Sequence, residues 1–139
     1  MRNVLIFSLL AGLAGCANMA NPFSSTPPTP STPATPVFFQ EWSSALDASA
    51  LTAISQAAKV ANAEPGTKVI VTGAADTLGS AQANKYLSET RAQVVADQLV
   101  ADGVEASRIK TRSVGETAAP GVASGMPAQF SRRVTIAIE

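Results

Sequence analysis

The sequence predicts an α/β (α+β) sandwich, a mixed β-sheet with helices packed on one face, carried by residues 37–139. Three observations predict it. Two segments repeat their apolar residues at intervals of three and four, the period of a helix with one buried face. Two β-branched runs, KVIVT at 68–72 and RVTIAI at 133–138, have the length and composition of strands. The elements follow in the order β-α-β-α-β-(α)-β, and such an order buries its apolar faces by laying helices on a sheet.

Val37-Phe38-Phe39 opens the domain as a short strand running towards Trp42, and Ser43-Ser44 turns the chain. Asp47 is a good N-cap. After it Ala50, Leu51, Ile54, Ala57, Ala58 and Ala61 form the apolar stripe of a first helix, which Pro65-Gly66 terminates. Lys68–Thr72 is the second strand, and Gly73–Gly79 is a loop. A second helix spans about Ser80 to Asp102, with Gly103 at its C′ position and a stripe of Ala83, Leu87, Val94, Val95 and Leu99. Ile109–Val114 is a third, weaker strand. Arg133–Ile138 is the last, with Val134, Ile136 and Ile138 alternating towards one face. Gly115–Gln129 is rich in Gly, Ala and Pro and has room for one short helix.

The segment ahead of the domain reads differently. Met1-Arg2-Asn3 is a short positive start, and Val4–Ala14 is an apolar run too short for a bilayer helix of about 20 residues. Residues 1–15 therefore read as a secretory signal. Leu13-Ala14-Gly15-Cys16 resembles a bacterial lipobox, which makes Cys16 the lipidation site. The residue after it is Ala17, not the aspartate that retains many such proteins in the inner membrane. An outer-membrane anchor facing the periplasm is expected. Six of nine prolines fall between Pro22 and Pro36. Residues 16–36 are thus a Pro/Ser/Thr-rich tether with a reach of roughly 60 Å in polyproline geometry.

Composition excludes much chemistry. Ten basic and ten acidic residues cancel, without runs of one sign, so no nucleic acid is expected as a partner. There is no histidine, and the single cysteine is Cys16. Cys/His metal sites and Ser-His-Asp or Cys-His catalysis therefore have no residues to use, and no metal or cofactor is expected. Paired carboxylates at a glycosidase separation are not evident among Asp76, Glu89, Asp97 and Glu116. The chain reads as a binding protein, not an enzyme.

One feature departs from a bland sandwich. Arg91 lies four residues after Leu87 and four before Val95, at the edge of an apolar stripe, and Asn84 is two turns earlier on the same side. A guanidinium there needs a carboxylate, because burying it unpaired costs several kcal/mol (about 3–5). Asp76, in the loop before the helix, is the best-placed one. Two arrangements satisfy this requirement. Asp76 and Arg91 brace each other, or they stand apart and clamp a ligand that carries an ammonium and a carboxylate. Trp42 and Phe130 read as core or rim packing in preference to sugar platforms. Tyr86 reads as a partly exposed helix residue, and Glu89 and Asp97 as members of the solvated face.

The pattern Gly73-Ala74-Ala75-Asp76, then Asn84-x-x-Leu87-Ser88-x-x-Arg91-Ala92-x-x-Val95-x-x-x-Leu99, resembles the central signature of the OmpA-like C-terminal domain, the family of the peptidoglycan-associated lipoproteins. The likeness continues through Gly115-Glu116, Pro120 and Arg132-Arg133-Val134, and spans about 37–139. It implies a non-covalent peptidoglycan anchor whose pocket takes the diaminopimelate side chain of the stem peptide. By position Asp76 and Arg91 match the family's loop aspartate and helix arginine. Asn84 matches a bracing asparagine, and Arg132 or Arg133 a second basic contact. Two departures bear on affinity: Ala74-Ala75 replace a His-Thr pair, and Ser131 replaces an Asn. The same fold without that binding would serve as an interaction module of an envelope assembly or secretion complex, with envelope proteins as partners.

Overall fold

The computed structural model describes residues 32–139. Cys16, the signal segment and most of the tether lie outside the described residues. Strands β1 (Thr35–Phe38), β2 (Val69–Ala75), β3 (Ile109–Glu116) and β4 (Arg133–Ile138) form one sheet in the order β1-β4-β2-β3. Helix α1 (Ala48–Ala63) joins β1 to β2, and α2 (Ala81–Ala101) joins β2 to β3. β4 returns antiparallel to both β1 and β2, while β2 and β3 are parallel across the α2 crossover. The sheet is mixed and open, and the α+β sandwich is the fold.

Register explains the core. Val37 pairs with Val134, Val71 with Ile136 and Val69 with Ile138, so these six side chains share one face of the sheet. Against that face lie Ala50, Ile54, Ala57, Ala58 and Ala61 of α1 and Ala92, Val95 and Leu99 of α2. Alanine at most of the helical positions allows close approach. Asp47 caps α1 by accepting from the Ala50 N–H, and Ser80 caps α2 through the Ala83 N–H. Arg108 closes the far end of α1, donating to the carbonyls of Ala61, Glu64 and Thr67.

Five expectations are corrected. The first strand starts at Thr35, two residues inside the expected tether, and its pairing ends at Phe38, well before Trp42. Pro36 is tolerated because β1 is an edge strand, where a missing N–H goes unnoticed by the ladder. β2 continues three residues into the expected loop, through Gly73 to Ala75. Gly115–Gln129 contains no α-helix; a single 3₁₀ turn, Gln129–Ser131, precedes β4. Leu51 of the expected α1 stripe is exposed.

The fifth correction concerns α2. Its buried side is Asn84, Ser88, Arg91, Ala92, Val95, Ala96 and Leu99, whereas Ala83 is exposed and Leu87 and Val94 are half-buried. The N-terminal half of α2 therefore faces the sheet with polar groups. Asn84 Oδ1 is buried without a hydrogen-bond partner among the described residues, whereas Ser88 Oγ lies 2.5 Å from Ser113 Oγ on β3. Gly73 makes this possible: a Cβ there would overlap the Ser88 carbonyl oxygen and stand 3.2 Å from Ala92 Cβ. Gly73→Ala is expected to destabilise the domain by about 2 kcal/mol or more, because both obstructing groups are fixed by the helix. Urea denaturation followed by circular dichroism measures it.

Candidate functional site

β2 pairs with β4 as far as Gly73–Val134, and beyond that the two strands diverge. The β2–β3 register also shifts between Gly73 and Ala75, a bulge that bends the strand end. This opening leaves the Ala74 carbonyl without a ladder partner and aims Asp76 out of the sheet end. Around it gather the β1–α1 loop, the start of α2 and the segment before β4.

Arg91 fills the gap beneath. It has no exposed surface. Its Nε donates to the Ser43 carbonyl at 2.8 Å, Nη1 to Ala74 at 3.2 Å and Nη2 to Gln40 at 2.9 Å. The guanidinium carbon stands 5.2 Å from the centre of the Phe39 ring, a cation–π distance. Of the two expected arrangements, the direct Asp76–Arg91 brace is not the one observed: the Arg91 bonds go to three backbone carbonyls. Burial pushes the Arg91 pKa down to about 10, the Asp76 charge opposes that fall and the Arg132 charge adds to it. Arg91 remains charged at neutral pH.

Asp76 pairs instead with Arg132, Nη1 to Oδ2 at 2.9 Å. The same oxygen accepts from the Ala128 N–H at 3.2 Å, and Oδ1 accepts from the Leu78 N–H at 3.4 Å. Arg132 also donates through Nε to the Phe39 carbonyl. Burial raises the Asp76 pKa, but the Arg132 bond, the two amides and the Arg132 charge together outweigh it. The carboxyl stays below its ordinary range. Asp76 is 5% exposed and the Arg132 side chain 12%, so the pair lies just under the surface.

Asn84, 1% exposed, braces this region from α2. Its amide donates to the Leu78 carbonyl at 3.1 Å and to Glu116 Oε2 at 3.4 Å. Arg133 is placed elsewhere: its guanidinium donates to the Phe130 carbonyl, and Phe130 packs edge-on against Phe38 at 6.2 Å. The structure thus brings together Asp76, Arg132, Arg91 and Asn84 and leaves Arg133 beside them. The backbone acceptors at Gln40, Ser43 and Ala74 carry no side-chain signature and were not readable in the sequence.

Trp42 adds a rim to the site. It adopts φ +53°, a left-handed conformation that costs a bulky residue about 1–3 kcal/mol. Its indole rests on Gly79, where a Cβ would overlap ring atom Cη2. Gly79 itself has φ +97°, so this tip of the β2–α2 loop needs glycine twice over. More open depressions, of about 310 and 230 Å³, run between α2 and β3 and are lined by residues such as Gln93 and Thr111. Neither includes Asp76 or Arg132.

Residues 38–133 match the OmpA family. The chain belongs to this family. Among curated OmpA-type relatives, the probable lipoprotein YiaD of Escherichia coli strain K12 is 35% identical over 105 residues, covering 73% of this chain and 47% of the relative. The peptidoglycan-associated lipoprotein of Mesorhizobium japonicum is 36% identical over 80 residues, 58% of this chain and 48% of that one. This chain therefore spans about half the length of these relatives. Of solved structures, the peptidoglycan-associated lipoprotein from Burkholderia pseudomallei superposes with a TM-score of 0.68 at 23% identity, over 76% of this chain and 90% of that chain. The C-terminal domain of Helicobacter pylori MotB gives 0.62 at 24% identity, over 75% and 83%. These likenesses show the shared fold.

Two measurements test the OmpA-type site as a structural unit. Arg91→Ala should cost about 3 kcal/mol or more, since it removes the donor of the buried Ala74 carbonyl and of the Ser43 carbonyl and leaves Gln40 only the Ser43 N–H. Lysine should recover part of this at most, having one ammonium for three spread acceptors; denaturant midpoints decide. A carboxyl with a lowered native pKa stabilises the fold fully above its ordinary value and loses that contribution as pH falls through the native one. Asp76→Asn should therefore be less stable than the parent above about pH 5, with the difference vanishing in strong acid. Thermal melts across that range measure it.

Proposed function

We propose that this chain is an outer-membrane lipoprotein that holds peptidoglycan non-covalently, through the diaminopimelate side chain of the stem peptide. Lipidation at Cys16 and a periplasmic orientation complete the reading, which makes the protein a staple between membrane and wall. The observation that carries it is the Asp76–Arg132 pair, a carboxylate and a guanidinium 2.9 Å apart just beneath the surface. A ligand ending in one amine and one carboxylate can exchange partners with such a pair, its ammonium taking Asp76 and its carboxylate taking Arg132. Arg91, fully buried beneath the pair, supplies positive potential from below. Asn84 holds the Leu78 carbonyl and so the loop that carries Asp76. Arg133 lies at the margin as a further basic contact. The names of the lipoprotein relatives support the same reading.

A second reading draws on the same pair. Asp76 already has three donors in the unliganded chain, and Ala74-Ala75 offer no side-chain hydrogen bonds. A closed pair of this kind also suits an OmpA-like interaction module of an envelope assembly. Cosedimentation of the full chain with purified diaminopimelate-type peptidoglycan separates the two. Wild type should sediment, and Asp76→Ala and Arg132→Ala should each lose about tenfold or more in affinity while remaining folded by circular dichroism. A folded wild type that stays in the supernatant leaves the interaction module.

A further inference from the structure

We infer that Trp42 is an aromatic platform for the sugar that carries the stem peptide, so that the protein reads the junction of glycan and peptide and not the peptide alone. The inference rests on the peptidoglycan reading above. It starts from an arrangement that packing does not explain. Trp42 is a bulky side chain in a left-handed backbone conformation, yet it is 53% exposed. A residue held in such a conformation, with half its surface in water, gains little from burial to offset the strain. An indole left open to solvent presents a flat apolar face with a polar N–H at its rim, which suits one surface of a pyranose ring.

The position fits that role. Trp42 sits between Gln40 and Ser43, the two loop residues whose carbonyls hold Arg91. It leans on Gly79, three residues from Asp76, so Gly79 Cα lies within about 11 Å of Asp76 Cα by chain length alone. In a stem peptide with diaminopimelate third, two residues separate that side chain's backbone from the lactyl ether of the sugar. Extended, they span about 7 Å, and the ether adds to it. A ligand gripped at Asp76–Arg132 thus has its sugar within reach of the indole. Gly79 meets the ring at its Cη2 edge, and about half of the residue's surface is left open to the ligand.

Trp42 is the single tryptophan of the chain, so its emission reports on this site alone. The full chain is titrated with an N-acetylmuramyl tripeptide containing diaminopimelate and, separately, with the same tripeptide lacking the sugar. Wild type should bind the muramyl form about tenfold more tightly, with a change in tryptophan emission that the bare tripeptide does not produce. Trp42→Asn, whose side chain tolerates the left-handed conformation, should bind both ligands with the bare tripeptide's affinity and melt no lower than the parent. Equal affinity of wild type for the two ligands, or a sugar-dependent gain that survives Trp42→Asn, overturns the platform and leaves the peptidoglycan reading standing. Failure of wild type to bind either ligand overturns both. Should Trp42→Asn misfold, the wild-type comparison and its emission still decide.

Discussion

A buried guanidinium bonded only to backbone carbonyls organises this end of the domain. Arg91 reaches from α2 to the β1–α1 loop at Gln40 and Ser43 and to the end of β2 at Ala74. Those three carbonyls belong to segments that the β-ladders no longer hold. Without the guanidinium, the buried Ala74 carbonyl would lack this donor, and Gln40 would keep only the longer bond from the Ser43 N–H. One side chain with a rigid fork of donors satisfies all three. The cost of desolvating its charge is offset by those bonds, by the Phe39 ring and by the Asp76 charge nearby.

With that frame fixed, the ion pair above it needs little further support. Asp76 emerges from the bulged end of β2, and Arg132 enters β4 from a 3₁₀ turn, so both sit where strands separate. Open sheets place binding groups at such ends, because there the backbone stops consuming its own hydrogen bonds. The Ala128 and Leu78 amides hold the carboxylate, and the Thr77 hydroxyl accepts from the Gly125 N–H and ties in the long segment before β4. The site is thus assembled from four segments distant in sequence, joined mainly through main-chain groups.

This explains what the sequence disclosed and what it did not. The core strands and both helices were legible, since Val69–Val71, Val134–Ile138 and the alanine stripe of α1 obey simple periods. In the N-terminal half of α2 apolarity is no guide to burial. There the buried face is Asn84, Ser88 and Arg91, and their partners Glu116, Ser113 and Gln40 lie 25 to 51 residues away. Asp76 and Arg91 were singled out by spacing, but their actual partners were not, since carbonyls look alike at every position. The segment 115–129 lacked any period, and it forms turns held by single bonds such as that from Gly125 to Thr77.

The edge strand has a mechanical meaning. β1 and β4 run antiparallel, with Thr35 opposite Ile136 and Phe38 opposite Arg133. Tension applied to the chain ahead of Thr35 and resisted at Arg132 draws the two strands from opposite ends. The bonds between them lie across the line of pull, so they are loaded together in shear instead of being peeled one after another. A short strand of four residues, weak by length alone, resists such a load better in this geometry than its length suggests, and the Phe39–Arg132 bonds lock the end opposite the pull.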